Sequence, residues 1–387
     1  MKKKRILLLA VTLLFWFAQY VYVPYQTPYL ASLGIAPSMI GVILGAYGFT
    51  QMAVRMPVGV MADRKDRHKW FIAMGVLLAG LASLLRAFVP TAAAFLIANL
   101  LSGIASSIWI SFTVLFSSYY SPEELTKSMG TITAFNNGGI LLGFAAGSVV
   151  SQTAGIPPLF WLSFLSGMLG FAVSLFIKEE QRAKDPLPVK ELLKVLKSKR
   201  LILFAIASAT LQAIHMSTAM AFTSQVAEGL GGSNAQIGLC SIIYMVFCIV
   251  SSWYVGTRQA RQIGNRILMP VFFGCMTVYS ALVPLVRSLE ALYVLQMIGG
   301  LGNASLFSIF MAGAIEGVPK EKKSTAMGFY QAVYGIGITL GPVLMGAVVG
   351  SAGMTAAYFT MAALGVVGGI LVMLINGKRK SGASSKK

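Results

Sequence analysis

The chain has 387 residues, 56% hydrophobic and only 11% charged, against roughly 25% charged in soluble domains. So little charge cannot cover a water-facing surface, which excludes a water-soluble enzyme. The formal charge of +19, from 31 basic and 12 acidic residues, would suggest nucleic acid in a soluble chain, but the placement of the charges points elsewhere.

Twelve apolar segments are predicted to be transmembrane helices. They lie at 6–31, 37–62, 70–89, 91–118, 126–151, 157–177, 201–226, 234–256, 265–286, 289–316, 324–350 and 354–376, each long enough for a bilayer. A lone strand would leave backbone groups unpaired in lipid, and a barrel would alternate polarity at every second residue. The fold class expected is therefore an all-α polytopic membrane protein. The basic start, Lys2 to Arg5, precedes an apolar run that reaches Leu33 without a small-x-small cleavage pattern, so the first span is expected to stay uncleaved.

Of the 31 basic residues, 28 fall at 2–5, 64–69, 127, 178–200, 258–266, 320–323 and 378–387. These are the termini and the even-numbered connections. Lys and Arg resist translocation, so both termini are expected in the cytoplasm of a cell-membrane protein, with anionic lipid headgroups as partners and no nucleic acid. Arg55, Arg86 and Arg287 are the exceptions, the last two assigned to outer helix ends. In the long connection, Val189–Lys197 places apolar residues on one face and lysines on the other, the pattern of a helix lying on the inner membrane surface. The expected organisation is a six-helix half at 1–177, this linker at 178–200, a second six-helix half at 201–376, and a basic cytoplasmic tail at 377–387.

The two halves repeat. Ile40-Gly41 recurs as Ile237-Gly238, Gly59 as Gly256, Gly103 as Gly300 and Ser111 as Ser308, each after 197 residues. Gly130, Gly139 and Gly143 recur after 198 as Gly328, Gly337 and Gly341. Parallel six-helix repeats are a transporter architecture, with the substrate held between them at mid-membrane.

Two motifs stand out. Between spans 2 and 3 runs Gly59-Val-Met-Ala-Asp63-Arg64-Lys65-Asp66-Arg67-His68-Lys69. It resembles the G-x-x-x-D-R-x-G-R-x-[RK] signature of the major facilitator superfamily, with Asp66 where that family usually has glycine. Gly59 admits a neighbouring helix, and Asp63 can offset the positive end of another helix. The resemblance implies that this helix is span 11, starting near Ser324, and that the contact latches the halves while the carrier is open outward. Arg67 is expected to pair with Glu123 or Glu124. The second-half copy, from Gly256 to Arg266, has no aspartate.

Span 5 carries Gly130-x8-Gly139-x3-Gly143-Phe144-x2-Gly147-Ser148, and span 11 carries Gly328-x8-Gly337-x3-Gly341-Pro342. These are similar to the fifth-helix motif of drug:proton antiporters, G-x8-G-x3-G-P-x2-G-G. Glycines allow tight helix crossing, and Pro342 can bend its helix. The arginine that many proton-coupled exporters place in span 4 is replaced here by Asn99.

Neutral polar and aromatic residues are the candidates for a substrate cavity. They are Gln19, Tyr22 and Gln26 in span 1, Asn99 in span 4, Asn136 in span 5, Gln212 and His215 in span 7, Gln296 and Asn303 in span 10, and Tyr330 and Tyr334 in span 11. Spans 1, 4, 7 and 10 are those that face the cavity in the resembling family. Each amide has two uses open to it, lining the cavity or bonding between helices. All twelve acids can be placed away from the membrane centre, which leaves His215 as the proton-coupling candidate. Its alternative is a satisfied core histidine.

No Walker loop occurs, and Cys240, Cys248, Cys275, His68 and His215 lack metal-ligand spacing. No metal, cofactor or catalytic group is expected. The reading is a secondary transporter, functional as a monomer, that moves a moderately apolar or aromatic small molecule by alternating access. Export with proton exchange is favoured over uptake or uniport of a neutral or anionic metabolite, and over a non-transporting sensor or scaffold with the same fold.

Overall fold

The computed structural model describes residues 2–65, 67–121, 124–179, 198–255, 257–319 and 323–383, and every regular element among them is helical. The predicted amphipathic helix in the long linker falls outside these residues. Eleven described helices are long and apolar enough to cross a membrane. The last of them, within the helical stretch Lys323–Ala383, contains Gly353 at φ 86° and ψ 172°. That backbone breaks the helix there, so it makes two crossings, and twelve spans result.

Several spans are less regular than the sequence suggests. Span 1 is divided into Lys2–Tyr20 and Val23–Ser32, because Pro24 has no N–H to continue the ladder. Span 4 is divided at Ile108 into Ala92–Ser107 and Trp109–Ser118. Span 7 runs from Lys199 to Gly229 with a π-helical turn at Thr218–Phe222. Just before and within that turn, the Ser217 and Thr218 hydroxyls donate to the carbonyls of Ala213 (2.6 Å) and Ile214 (2.7 Å), a pattern that bends helices. A short helix at Arg258–Ile263 precedes span 9, capped by Thr257 Oγ1 accepting from the Ala260 N–H at 3.3 Å.

The surface is the inverse of a soluble protein's. Phe176 and Trp253 are 71% and 74% exposed, while Ser106, Ser163, Ser208 and Thr218 are fully buried. Lipid solvates the apolar outer face, and the polar groups must then find partners inside.

The chain forms two compact units. The first comprises Met1–Ile35, Val42–Pro186 and Ser233–Leu239, the second Ala36–Gly41, Leu187–Gly232 and Cys240–Lys387. The repeat is visible in their backbones. Gly34 and Gly231, 197 residues apart, turn the chain at φ 76° and 80°, and Gly155 and Gly353, 198 apart, do so at 83° and 86°. These left-handed positions favour glycine.

Glycine packing repeats as well. In the first unit, a Cβ at Gly139 would stand 2.6 Å from the Leu13 carbonyl oxygen, and one at Gly143 3.1 Å from Val21 N, so span 5 lies directly on span 1. In the second unit, a Cβ at Gly341 would stand 2.5 Å from the Ala213 oxygen, with Gly337 against Ala209, so span 11 lies on span 7. Gly147 also meets span 1, at Val21. The first glycine of each motif behaves differently. Gly130 and Gly328 have nothing within 4 Å of a built Cβ, so they do not serve the tight crossing expected of them.

One end of each unit is tied by an arginine. Arg5 donates from Nε (3.2 Å) and Nη2 (2.5 Å) to the carbonyl of Tyr119, the residue that closes span 4, and lies 3.6 Å over the Tyr120 ring. Arg200 donates from Nε to the Gly313 carbonyl at 2.9 Å, near the end of span 10, and its Nη2 meets the Glu316 carboxylate. Cations at helix C-termini offset the negative end of the dipole.

Candidate substrate-binding site

In the first unit a continuous file of hydrogen bonds joins spans 1 to 4. Gln19 Nε2 donates to the Ser102 carbonyl (3.0 Å) and to Ser106 Oγ (2.7 Å). Gln26 Nε2 donates to Asn99 Oδ1 at 3.1 Å, and Asn99 Nδ2 donates to the Ile43 carbonyl at 2.7 Å. Tyr47 in span 2 donates its hydroxyl to Ser106 Oγ at 2.9 Å. Arg55 Nη2 reaches the Ser106 carbonyl at 3.4 Å. The predicted face of span 1 and the predicted residue of span 4 are therefore brought together.

At the centre of this file sits a residue that the sequence assigned only to an outer helix end. Arg86 stands in the last turn of span 3, yet it is only 1% exposed. Its Nη2 donates to Asn99 Oδ1 (2.7 Å) and Ser102 Oγ (2.9 Å), its Nη1 to Ser83 Oγ (3.3 Å). Its Cζ lies 4.5 Å over the Tyr22 ring. Being two residues from the end of span 3 (His68–Phe88), it can turn its long side chain inward rather than toward water. The signal available was its exclusion from every basic loop.

The second unit uses hydroxyls and rings. His215 Nδ1 lies 2.7 Å from the Tyr244 hydroxyl, with the rings stacked at 5.5 Å and 13°. Tyr244 is the repeat partner of Tyr47, at an offset of 197. Tyr330 donates to Ser208 Oγ at 2.8 Å and packs edge-on against Tyr334 at 5.4 Å. Deeper lies a cluster that sequence reasoning missed, in which Thr223 Oγ1 is 2.9 Å from the Tyr279 hydroxyl and 2.7 Å from that of Tyr358. Gln212 is half-buried one turn before His215. The side-chain oxygens of Gln296, Asn303, Gln331 and, in span 5, Asn136 are buried with no partner among the described residues. An unpartnered amide oxygen in a membrane interior is costly, and a polar group on a ligand can satisfy it.

At the signature between spans 2 and 3, the helix extends through Lys65 (Pro37–Lys65). The side chains of Gly59, Asp63 and Arg64, like Asp66 and Glu123, lie outside what is described. Arg67 is exposed at the start of span 3. The carboxylate found at this helix N-terminus is that of Glu179, accepting from the backbone N–H of His68 (2.7 Å) and Lys69 (3.0 Å). Lys69 Nζ donates to the Leu175 carbonyl at 2.7 Å.

Two repeat-related helical units, each enclosing a file of polar side chains within an apolar outer shell, have the architecture of a multi-pass membrane transporter. The Major Facilitator Superfamily model matches residues 8–225 and 205–387. The chain belongs to that superfamily. It is 24% identical over 368 residues to the MFS-type transporter MJ1560 of Methanocaldococcus jannaschii, covering 91% of this chain and 92% of that one. It is 24% identical over 353 residues to the multi-drug resistance efflux pump PmrA of Streptococcus pneumoniae, covering 87% of each. Its fold is similar to the crystal structure of a mutant form of the nucleoside transporter NupG, with a TM-score of 0.78, 16% identity, and 96% of this chain and 99% of that one covered.

Proposed function

We propose that this carrier exports a small, moderately apolar or aromatic molecule in exchange for protons, acting as a monomer with both termini in the cytoplasm. The observation that carries the reading is the chemistry of the two polar files, in which amides, hydroxyls and aromatic rings predominate. The side-chain oxygens of Gln296 and Asn303, buried without partners, add acceptors for a cargo's own donors. Such walls suit a cargo with a large apolar body and a few polar groups. Similarity to an efflux pump over 87% of the chain supports the outward direction. The halves at 1–177 and 201–376 are the bodies that rock, and Gly59, Asp63, Arg64, Arg67 and Lys69 form the latch between their open and closed states. His215 is the residue proposed to carry the proton.

Everted membrane vesicles from cells overproducing the chain test this reading. With an inside-acid pH gradient, fluorescent aromatic dyes are expected to accumulate inside them, and the gradient is expected to dissipate faster when dye is added. Equal accumulation in vesicles lacking the protein rejects export of this cargo class. Accumulation only in right-side-out vesicles makes the protein an uptake carrier. Cysteines at Ser32 and Ser351, both exposed, are expected to react from outside intact cells, and one at Ser121 is not.

A further inference from the structure

We infer that Arg86 sets the charge selectivity of the cargo, so that the carrier accepts neutral and anionic molecules and rejects cationic ones. The inference rests on the transport reading above and deepens it.

The guanidinium is buried to 1% exposure and keeps its charge, since arginine is not deprotonated in proteins. Its bonding partners are Asn99 Oδ1, Ser102 Oγ and Ser83 Oγ, all neutral, and the face of the Tyr22 ring. Its Nε–H has no partner among the described residues. Among the described residues no carboxylate is its partner, and of the twelve acids in the sequence none belongs to the middle of a span in this unit. A buried charge is ordinarily paired with its opposite. Here dipoles and a ring quadrupole hold the cation in place without cancelling its charge.

The surrounding bonds extend this polarity along spans 1 and 4. Asn99 Oδ1 accepts from both Arg86 and Gln26, so the amide of Gln26 turns its N–H toward the cation's shell. Gln19 binds the next turn of the same helix through Ser102 and Ser106. On the transport reading, a cargo held beside spans 1 and 4 therefore sits near a positive charge that no carboxylate among the described residues offsets, in a medium of low dielectric. At about 10 Å and an effective dielectric constant of about 20, a unit charge on the cargo changes affinity by roughly tenfold or more. Rejection of the wrong sign by a fixed like charge is a recognised route to specificity.

The test uses the purified full-length carrier and three probes with one ring system. These are 7-methoxycoumarin, its 4-acetate (anionic), and its 4-methyltrimethylammonium derivative (cationic). Binding is read by quenching of tryptophan fluorescence, and flux of the two charged probes is read in proteoliposomes against protein-free liposomes. The wild type is expected to bind the neutral and anionic probes at least tenfold more tightly than the cation. Arg86→Gln is expected to bring that ratio to within about threefold, and Arg86→Lys to preserve it. Since Arg86→Gln could fail to fold, Ser102→Asp provides a second arm. It retains the arginine and sets a carboxylate where Ser102 Oγ now accepts its bond at 2.9 Å, and it too is expected to admit the cation. Ratios within one preparation are independent of protein abundance, so a purely structural role would not move them. A wild type that takes the cation as readily as the anion overturns the inference alone. So does a ratio unchanged in whichever variant folds. A carrier that binds none of the three probes and moves neither charged one overturns the aromatic-cargo reading, and the inference with it.

Discussion

The two units share their scaffolding and differ in their interiors. Gly34 and Gly155 have turn-forming counterparts in Gly231 and Gly353. The contact of span 5 with Leu13 is matched by that of span 11 with Ala209. Yet where the first unit builds its polar file around two guanidiniums and three bonded amides, the second bonds His215, tyrosines and hydroxyls to one another and leaves the oxygens of Gln296, Asn303 and Gln331 without partners among the described residues. A backbone that must pack glycine against carbonyl has few solutions. A polar interior needs only that its donors and acceptors be matched, and many residue sets satisfy that. The scaffold is thus the symmetric part of the molecule, and the chemistry is where the halves have diverged.

That comparison can be broken most severely at the glycines. Gly139→Leu and Gly337→Leu should each drive a side chain into the backbone of span 1 or span 7, costing about 1–3 kcal/mol or more. Loss of monodisperse protein on size-exclusion chromatography is expected for both. A large effect in one unit only would mean that the repeat is not structurally equivalent there.

The interiors are separated by a second pair. His215→Gln keeps a hydrogen-bonding group beside Tyr244 but cannot titrate. Accumulation driven by a pH difference should be abolished, while downhill exchange of labelled cargo persists. Gln19→His, near the corresponding place in the first unit, should not restore coupling in that background. If the His215→Gln protein still concentrates cargo under a pH difference alone, the histidine is a core residue.

A smaller effect is expected at the proposed latch, whose aspartate only the first half's sequence carries. Asp63→Asn removes a charge whose interaction with a helix terminus is worth roughly 0.3–2 kcal/mol. Transport should fall several-fold at unchanged abundance, with spin-label distances shifted toward inward-facing states. Identical distances and rates would remove Asp63 from the gating role.

The smallest change is expected at Gly130→Ala and Gly328→Ala. Both positions have open space around a Cβ, and alanine favours helix by up to about 1 kcal/mol over glycine. Melting temperatures should stay level or rise slightly. A marked fall in either would show that these glycines have a packing partner in another conformation.

The spans were legible because lipid imposes apolar runs of fixed length, and the repeat because glycines at close helix contacts, such as Gly103 and Gly300 or Gly139 and Gly337, recur at a nearly constant offset. Breaks within spans were harder to read. Pro24 marks one plainly, but the π-turn at Thr218–Phe222 follows hydroxyls bonding back to their own helix, which serines and threonines elsewhere do without breaking it. The inward partners of Arg86 were not legible because a basic residue two positions from a helix end can reach either way. Only the partners waiting inside, Asn99 and Ser102 on another span, decide which. Likewise, Gln19, Gln26 and Asn99 were identified by helical spacing, whereas the pairing of His215 with Tyr244 joins residues 29 apart on separate helices, where no periodicity connects them.

The arginine ties at the helix ends bear on how the chain is assembled. Arg5 waits 114 residues for its carbonyl at Tyr119, and Arg200 waits 113 for Gly313. At about 5–20 residues per second of synthesis, each tie can close only about 6–23 s after its arginine emerges, once a fourth helix has joined the first. The two intervals are almost equal, so each half runs on the same clock.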